Sequence, residues 1–320
     1  MLAFRKNLTE ELLSLKEDIE AACIHVGDYH YFTIFDPKER IICAASFKER
    51  VLHHAIINIC EPLFEKALIC HTYACRKGKG RLKAIYQAQN NARKKQWFLK
   101  MDIRKYFNSI NHSVLKQMLE SRLKDRELLG LLFKIIDSYQ RQPGTGIPIG
   151  NLTSQHFANF YLNPLDRLIT EKLGIGHYVR YMDDFTLWHE DKKTLNNAWL
   201  QIENFLYETL KLKLKPTPYL NRTAHGMEFL GFRVFPHTLK LNNRSKKRFI
   251  NSLRELDSSL ERNEITPADY QRQSSAIIAY VEKADTLEWR KQILFDNLKS
   301  VINHRKSLPL SETCRRAQTA

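Results

Sequence analysis

Two adjacent carboxylates, Asp183 and Asp184, lie between two short apolar stretches, and this pattern constrains the fold more than any other feature of the chain. The flanking stretches, 177–180 and 185–188, are rich in aromatic and β-branched residues, which favour strands. The Asp-Asp step favours a tight connection, so we expect a β-hairpin that presents both acids at its tip. Neighbouring carboxylates repel unless a cation lies between them, and a hard divalent cation such as Mg²⁺ suits their oxygen ligands. The alternative is a solvated hairpin turn.

A third acid, Asp102, ends a segment with the pattern of a buried strand, residues 96–102. The helix predicted after it carries apolar residues on one face: Leu115, Met118, Leu119 and Leu123. A strand that ends in Asp, beside a hairpin that ends in Asp-Asp, can gather three carboxylates around two metal ions. In such a site one ion lowers the pKa of an attacking hydroxyl and the other stabilises a leaving pyrophosphate. Considered alone, Asp102 fits a structural cap or turn equally well.

The chain is strongly basic, since 51 Lys and Arg residues against 35 Asp and Glu residues leave a formal charge of +16. Such a charge is typical of proteins that bind a polyphosphate chain, although a merely soluble basic protein can also carry it. The basic residues concentrate in three segments, which we expect to flank a groove: residues 76–81, 93–95 and 244–248.

The 320 residues, 43% of them hydrophobic, suffice for one compact molecule with several subdomains. The sequence has no apolar run long enough to cross a bilayer, and residues 1–11 become charged too early for a secretion signal. We therefore expect a cytoplasmic location and no membrane partner. The six cysteines show no Cys-x-x-Cys spacing, so buried free thiols are expected. Cys70, His71 and Cys75 come nearest to a metal cluster.

Three motifs resemble those of reverse transcriptases. Residues 98–102 and 181–184 occur in the order that this family shows, and a third block, residues 146–166, narrows the match. Most bacterial relatives, including group II intron enzymes and retrons, carry Pro-Gln-Gly and then Ser-Pro in that block, whereas this chain has Pro148-Ile149-Gly150 and Ser154-Gln155. These two differences resemble the reverse transcriptases of diversity-generating retroelements, within the group II intron-like lineage of bacteria and phages. Further matching segments extend the resemblance over nearly the whole chain: residues 46–50, 75–80 and 226–232.

This resemblance implies an RNA-directed DNA polymerase that copies a template RNA into cDNA with frequent errors opposite adenine. The implied cofactors and substrates are two Mg²⁺ ions and the dNTPs. The implied partners are the retroelement RNA as template and primer, the RNA–cDNA duplex, and a small basic accessory variability protein that assembles as a ring. Another bacterial reverse transcriptase, of the retron or phage-defence type, is one alternative, and the Ser154-Gln155 pair argues against it. A non-catalytic RNA-binding scaffold is another, and the three intact acids argue against that.

The same resemblance implies an α+β fold of the right-hand polymerase type, with helical fingers, an antiparallel-sheet palm and a helical thumb. The expected boundaries are 1–96 for the N-terminal segment and fingers, 97–118 and 149–238 for the palm, 119–148 for the second part of the fingers, and 239–320 for the thumb. Strands and edge elements of the palm are expected near residues 97–102, 177–188, 211–215 and 227–234.

Several helices are also expected from the apolar pattern. A helix from Ser154 to Leu173, capped by Ser154 and kinked by Pro164, should pack on the palm sheet. Its buried side chains are expected to be Phe157, Phe160, Tyr161 and Leu165. The first 95 residues have a mostly helical pattern, with one apolar face formed by Val51, Ala55, Ile56 and Ile59.

In the predicted thumb, a helix from Ser245 onward carries one apolar stripe: Phe249, Leu253, Leu256 and Leu260. Thr266 has the pattern of an N-cap, followed by Pro267 at the first helical position. Residues 311–320 are expected to fray because they offer little to bury.

The resemblance implies roles for single residues. Asp102 and Asp183 would bridge the two Mg²⁺ ions, Asp184 would complete the site, and the backbone carbonyl of Ile103 would add a ligand. Phe107 matches the steric gate of the family, an aromatic ring that leaves no room for a 2′-hydroxyl and so selects deoxynucleotides. Without the family, Phe107 fits an ordinary core residue equally well.

Cations are needed beside a triphosphate because charge-assisted contacts to phosphate are strong. Arg76 matches the fingers arginine that contacts the incoming triphosphate, and Lys215 matches a lysine near the leaving pyrophosphate. Neighbouring cations could take either role instead. Lys77, Lys79 and Arg81 are alternatives to Arg76, and Lys211 and Lys213 are alternatives to Lys215. The residues expected to contact the incoming dNTP or the template are Arg76, Lys77, Phe107, Ile149, Gln155 and Lys215.

Ile149 is the position at which the sequence predicts altered fidelity. Replicative relatives place a glutamine there, whose amide helps hold nucleotide and template in register, whereas isoleucine offers shape without a hydrogen bond. A lost hydrogen bond is worth about 0.5–1.5 kcal/mol, or roughly tenfold in discrimination. We therefore expect Ile149, with Arg76, to contribute to error-prone copying opposite adenine. The alternative is a plain apolar contact without effect on fidelity.

Overall fold

The computed structural model describes residues 2–35 and 39–293, and the chain divides into two compact units. The first unit is Met1–His225 and the second is Gly226–Ala320. Within the described residues, no helix is both long enough and apolar enough to cross a membrane.

The α-helices of the first unit are α1 (Leu2–Lys6), α2 (Leu8–Glu20), α3 (Phe47–Ala67), α4 (Arg81–Lys94), α5 (Tyr106–Ser109), α6 (His112–Glu120), α7 (Arg126–Asp137), α8 (Leu152–Tyr161), α9 (Asn163–Arg167) and α10 (Lys192–Glu208), and a π-helical turn at Leu168–Lys172 and a 3-10 turn at Thr223–His225 complete its helical segments. Its strands are β1 (Tyr29–Phe35), β2 (Glu39–Ala45), β3 (Trp97–Asp102), β4 (Tyr178–Tyr181), β5 (Asp184–His189) and β6 (Tyr219–Arg222). The second unit contains β7 (Met227–Phe229), β8 (Phe232–Val234), β9 (Leu239–Leu241), α11 (Asn243–Glu261) and α12 (Pro267–Val281).

Four antiparallel strands form the central sheet of the first unit, in the order β4-β5-β3-β6. The strands predicted at 97–102 and 177–188 are present as β3 and as the β4–β5 hairpin. Phe98 and Leu99 are both fully buried, and because successive residues of a strand point to opposite faces, the sheet is covered on both sides. This combination of helices with an antiparallel sheet confirms the predicted α+β class.

The helix predicted from Ser154 to Leu173 is broken into shorter pieces. Helix α8 begins at Leu152 with Asn151 at the N-cap, so the predicted cap at Ser154 is wrong, and Ser154 is buried within the helix. The predicted kink at Pro164 is also wrong. Pro164 lies in the first turn of α9, where a residue without an N–H loses no intrahelical bond, and it therefore helps to start a helix. The predicted buried side chains are confirmed: Phe157, Phe160, Tyr161 and Leu165.

The N-terminal region contains a hairpin that its sequence pattern did not predict. Strands β1 and β2 pair antiparallel over their full length. The buried face of α3 also differs from the prediction, because Ala55 and Ile59 are exposed while Ile56 is buried. The face that packs inward follows the i, i+4 spacing of Leu52, Ile56, Cys60 and Phe64.

Of the two predicted edge elements of the palm sheet, residues 211–215 lie beside the end of β3 without forming a strand, whereas residues 227–234 lie in another sheet. Residues 211–215 contribute one isolated bridge, between Leu214 and Ile103, and the strand beside β3 is β6. Lys211 has a φ of 53°, which interrupts an extended chain. Residues 227–234 form β7 and β8, which pair with β9 in a separate three-stranded sheet of the second unit.

The helices of the second unit follow the sequence pattern closely. The apolar stripe of α11 is confirmed for three buried side chains: Phe249, Leu253 and Leu256. Thr266 caps α12 by accepting a hydrogen bond from the N–H of Asp269 at 3.1 Å, with Pro267 in the first turn. The segment 311–320 lies outside the described residues, and the boundaries of fingers, palm and thumb remain predictions.

Candidate active site

Three carboxylates meet at one end of the central sheet. Asp102 is the last residue of β3 and Asp184 is the first residue of β5, and the two are direct cross-strand partners. Asp183 lies in the turn between β4 and β5, where Met182 has a φ of 59°. The N–H of Ile103 donates to the Asp183 carbonyl at 3.4 Å, which ties the turn to the end of β3. The predicted hairpin is confirmed, except that Asp184 belongs to a strand rather than to the turn.

Burial and the repulsion of neighbouring carboxylates make Asp183 and Asp184 hard to ionise. The pKa of Asp183 is raised to about 6, first by burial and then by the nearby charges of Asp102 and Asp184. Burial also raises the pKa of Asp184, against the opposing effect of the Lys100 ammonium, which donates to its Oδ2 at 2.8 Å. Lys215 donates in the same way to Oδ2 of Asp102. The two lysines therefore offset part of the repulsion.

The sequence predicted a role for Lys215 but none for Lys100. Sequence reasoning missed Lys100, although strand alternation places residues 100 and 102 on the same face of β3. Lys215 was expected near a leaving pyrophosphate, and the structure places it on Asp102, whose carbonyl also accepts the Lys215 N–H at 2.9 Å. Its contact with pyrophosphate stays a prediction.

One oxygen on each of two carboxylates has no hydrogen-bond partner, namely the buried Oδ1 atoms of Asp102 and Asp184. Buried carboxylate oxygens without a donor fit a hard cation, which takes oxygen ligands. In the part of the chain that the structure describes, no three His, Cys, Asp or Glu side chains are already spaced to hold a metal. The ammonium groups of Lys100 and Lys215 provide the positive charge beside the acids instead.

Arg180, a fully buried side chain, connects the turn that carries Asp183 to the core. Its Nε and Nη2 donate to the two carboxylate oxygens of Asp166 at 2.7 and 2.6 Å. Its Nη1 donates to the Met182 carbonyl and to Asn159 Oδ1, both at 3.0 Å, and Nη2 also donates to the Asn159 carbonyl. All five N–H groups of the guanidinium therefore have acceptors. Sequence reasoning missed this network, although a charged residue inside an apolar strand was an available signal.

Phe107, the predicted steric gate, is hydrogen-bonded to the loop that contains Ile149, the residue predicted to alter fidelity. The N–H of Ile147 donates to the Phe107 carbonyl at 2.9 Å, and the Ile149 carbonyl accepts from the N–H of Cys43 at 2.8 Å. Phe107 is half-buried and packs edge to face against Tyr106, with ring centroids 5.8 Å apart. The roles of Phe107 and Ile149 in nucleotide and template selection stay predictions.

The guanidinium of Arg76 is hydrogen-bonded within the protein. Its guanidinium donates to both carboxylate oxygens of Glu65 at 2.8–3.0 Å and to the carbonyls of Ile69 and Thr72 at 2.6 and 3.1 Å. Because the side chain is only 7% exposed, the structure does not place Arg76 at an open phosphate site. Contact with a triphosphate stays a prediction that requires the ion pair with Glu65 to open.

Lys77 and Gln155, also predicted to contact the dNTP or the template, have different surroundings. The exposed Lys77 ammonium donates to Glu61 Oε2 at 2.5 Å. Gln155, on α8, accepts a hydrogen bond from Cys75 Sγ at 3.3 Å. Cys70 and Cys75 are free thiols, but they are exposed and not buried as expected.

Residues 35–234 match the family model described as reverse transcriptase (RNA-dependent DNA polymerase). The putative COX1/OXI3 intron 2 protein of Saccharomyces cerevisiae is 23% identical over 253 residues, which cover 58% of this chain and 29% of that protein. Protein YkfC of Escherichia coli K12 is 22% identical over 62% of this chain and 63% of its own length. The group II intron-encoded protein LtrA of Lactococcus lactis is 21% identical over 61% of this chain and 35% of its own length. The chain thus spans less than two thirds of each of these relatives.

The solved structure of apo telomerase from Candida tropicalis superposes with a TM-score of 0.54 at 12% identity, covering 83% of this chain and 59% of that one. Telomerase from the same organism in complex with a telomeric RNA fragment gives a TM-score of 0.53 at 12% identity, covering 82% of this chain and 54% of that one. These similarities confirm the predicted right-hand polymerase fold. Because residues 35–234, more than half of the chain, match the family model, the chain belongs to the reverse transcriptase (RNA-dependent DNA polymerase) family.

Proposed function

We propose that this protein is an RNA-directed DNA polymerase whose reaction centre is the three carboxylates of the central sheet. The observation that carries the proposal is the direct pairing of Asp102 with Asp184, with Asp183 in the adjoining turn. Family membership supports the reaction class. A purely binding protein gains nothing from three partly buried acids that repel one another, since their burial opposes folding.

The oxygen atoms at this site are the chemical reason to propose Mg²⁺. The Oδ1 atoms of Asp102 and Asp184 lack donors and would hold the cation together with Asp183 and the backbone carbonyl of Ile103. Two such ions, when bound, lower the pKa of an attacking hydroxyl and neutralise the leaving pyrophosphate. Lys100 opposes the rise in the pKa of Asp184 and orients its carboxylate through a charge-assisted hydrogen bond.

The substrate contacts follow from the neighbouring side chains. The ring of Phe107 would exclude a 2′-hydroxyl and so select deoxynucleotides. Lys215 would stay beside Asp102 and attract the triphosphate. Lys77 has the more exposed cation of the two fingers candidates, whereas Arg76 becomes available only when its contact with Glu65 opens.

We further propose that the polymerase belongs to a diversity-generating retroelement and copies RNA with errors opposite adenine. The support is the sequence Pro148-Ile149-Gly150 and the pair Ser154-Gln155. Ile149 cannot supply the hydrogen bond of a glutamine amide, which lowers discrimination by roughly tenfold. The partners of such an enzyme would be the retroelement RNA and a small basic accessory protein that forms a ring.

The experiment is primer extension on an RNA template with Mg²⁺ and the four dNTPs, followed by sequencing of the cDNA. cDNA with errors concentrated at template adenines is the expected product, and Ile149→Gln should lower those errors about tenfold. Errors unchanged in Ile149→Gln would remove Ile149 from the explanation of fidelity.

The remaining outcomes separate the alternatives. Faithful cDNA would keep the polymerase and favour an enzyme of the retron or phage-defence type. Absence of cDNA, also with the native RNA and the accessory protein, would favour a non-catalytic RNA-binding scaffold and overturn the proposal.

A further inference from the structure

Cations from several elements converge at the end of the central sheet opposite the carboxylates. The Lys192 Nζ lies 5.3 Å and the Arg222 Cζ lies 5.2 Å from the ring centroid of Trp97. Trp97 is the first residue of β3 and pairs in register with Arg222 on β6 and His189 on β5. The name Trp97 basic edge is used below for four cations: Lys95, Lys192, Lys193 and Arg222.

The acids near this edge neutralise little of its charge. Glu190 pairs with Lys95 at 3.4 Å and is itself 53% exposed, which makes the pair weak. Asp191 is used as the N-cap of α10, where it accepts from the N–H groups of Lys193 and Thr194 at 3.1 and 3.0 Å. Among the described residues, the ion pairs include no carboxylate partner for the side chains of Lys192, Lys193 or Arg222.

Two of these cations, Lys192 and Lys193, lie at a helix N-terminus, where the helix dipole makes positive charge unfavourable. The first turn of α10 contains Lys192 and Lys193 and no acid, although the positive end of a helix dipole favours acids there. The charge of Lys95 is felt beside β4, since the pKa of His177, the residue before that strand, is lowered by burial and then by Lys95 and Lys94. Like charges held together in this way are stabilised by an external anion.

We infer that the Trp97 basic edge binds the phosphate backbone of RNA at a site separate from the reaction centre. The inference rests on the proposed function, because RNA is the template of such a polymerase. Five residue steps along β3 separate Trp97 from Asp102, or roughly 17 Å, so the edge touches no reacting atom. Two cations lie over the Trp97 ring, so the contact is with phosphate rather than with a stacked base, and it carries no sequence preference.

The test is the salt dependence of RNA binding by the full chain. The variant is Lys192→Gln/Lys193→Gln/Arg222→Gln. The matched control removes three exposed cations between α6 and the first residue of α7: Arg122→Gln/Lys124→Gln/Arg126→Gln. The probe is a labelled RNA hairpin with a single-stranded extension, titrated by fluorescence anisotropy at several KCl concentrations without nucleotides. Each lost phosphate contact lowers the slope of log Kd against log salt by roughly 0.7–0.9, so the variant should lose about 2–3 units of slope. The control should keep the slope of the wild type.

Equal slopes in the variant and the wild type would overturn the inference. A second variant, Lys193→Glu, leaves the two cations over the Trp97 ring in place. It must also weaken RNA binding, so the inference can still be tested if removing Lys192 and Arg222 disturbs the fold around Trp97. If the variant loses binding to polyglutamate while its RNA binding is unchanged, the edge is a site for an acidic protein and the inference is wrong. Because the assay needs no catalysis, RNA binding at the edge without cDNA synthesis would overturn only the proposed function.

Discussion

Arg180 and Asp166 form an ion pair in which both side chains are 0% exposed. Removing two charges from water is costly, and only close geometry with full hydrogen bonding offsets that cost. Here the guanidinium uses every N–H group, and one of its acceptors is the Met182 carbonyl in the turn that contains Asp183. The pair therefore fixes the backbone that carries Asp183.

Removal of Arg180 tests this positioning. Arg180→Met leaves the Asp166 carboxylate buried without its partner and should lower the free energy of unfolding by about 3–5 kcal/mol. Urea denaturation measures the loss. The double variant Arg180→Met/Asp166→Leu should recover most of it, because no charge then remains buried. A single variant that costs no more than Arg122→Met, a change at an exposed arginine, would contradict the proposed importance of the pair.

The raised pKa of Asp183 predicts a dependence of stability on pH. Its folded-state pKa of about 6 lies above the ordinary value of 3.8, so between these values the folded chain binds more protons than the unfolded chain. Stability should therefore fall as pH rises from about 4 to above 6, by up to about 3 kcal/mol without metal. Thermal unfolding in chelator, compared with Asp183→Asn, measures this contribution. Identical pH profiles of the two proteins would contradict it, whereas Mg²⁺ should stabilise the wild type above pH 6.

Among the elements, those with strong local signals were the predictable ones. The β4–β5 hairpin combines apolar strands with a turn at adjacent acids, and Thr266 with Pro267 is a sufficient signal for the start of α12. Strand β1 is exposed at most of its positions, so no burial alternation marked it as a strand. The segment around α8 is buried almost all round, so periodicity could not locate its first residue.

The junction of Gly150 with β2 gives a prediction at the scale of elements. Gly150 has a φ of +125°, and a Cβ added there would lie 2.9 Å from Ile42 Cγ2 and 3.2 Å from the Cys43 carbonyl oxygen. Gly144 also has a positive φ, +69°, but an added Cβ meets nothing within 4 Å. Gly150→Ala should therefore destabilise the chain by at least about 1 kcal/mol more than Gly144→Ala, measured by urea denaturation. Equal losses would contradict the expected cost of the contact between an added Cβ at Gly150 and β2.

For the whole molecule, the sequence located the three acids because each ends or follows a recognisable strand. It could not locate the groups that control their charge, since Lys100 and Asp184 are 84 residues apart and meet only through the pairing of β3 with β5. The contacts of Arg76 were hidden for the same reason, because the position of Glu65 depends on how α3 packs. Motif spacing thus predicted that the three acids come together, and the folded sheet supplied their electrostatic surroundings.

The catalytic assignment is best tested by cDNA synthesis on an RNA template with Mg²⁺, comparing the wild type with Asp183→Asn and with Asp191→Asn, an exposed acid that caps α10. As a proposed Mg²⁺ ligand, the Asp183 carboxylate would contribute several kcal/mol of transition-state stabilisation, so Asp183→Asn should lower the rate by roughly a thousandfold or more. Asp191→Asn should retain the wild-type rate. cDNA made by Asp183→Asn at the wild-type rate would show that the reaction centre lies elsewhere.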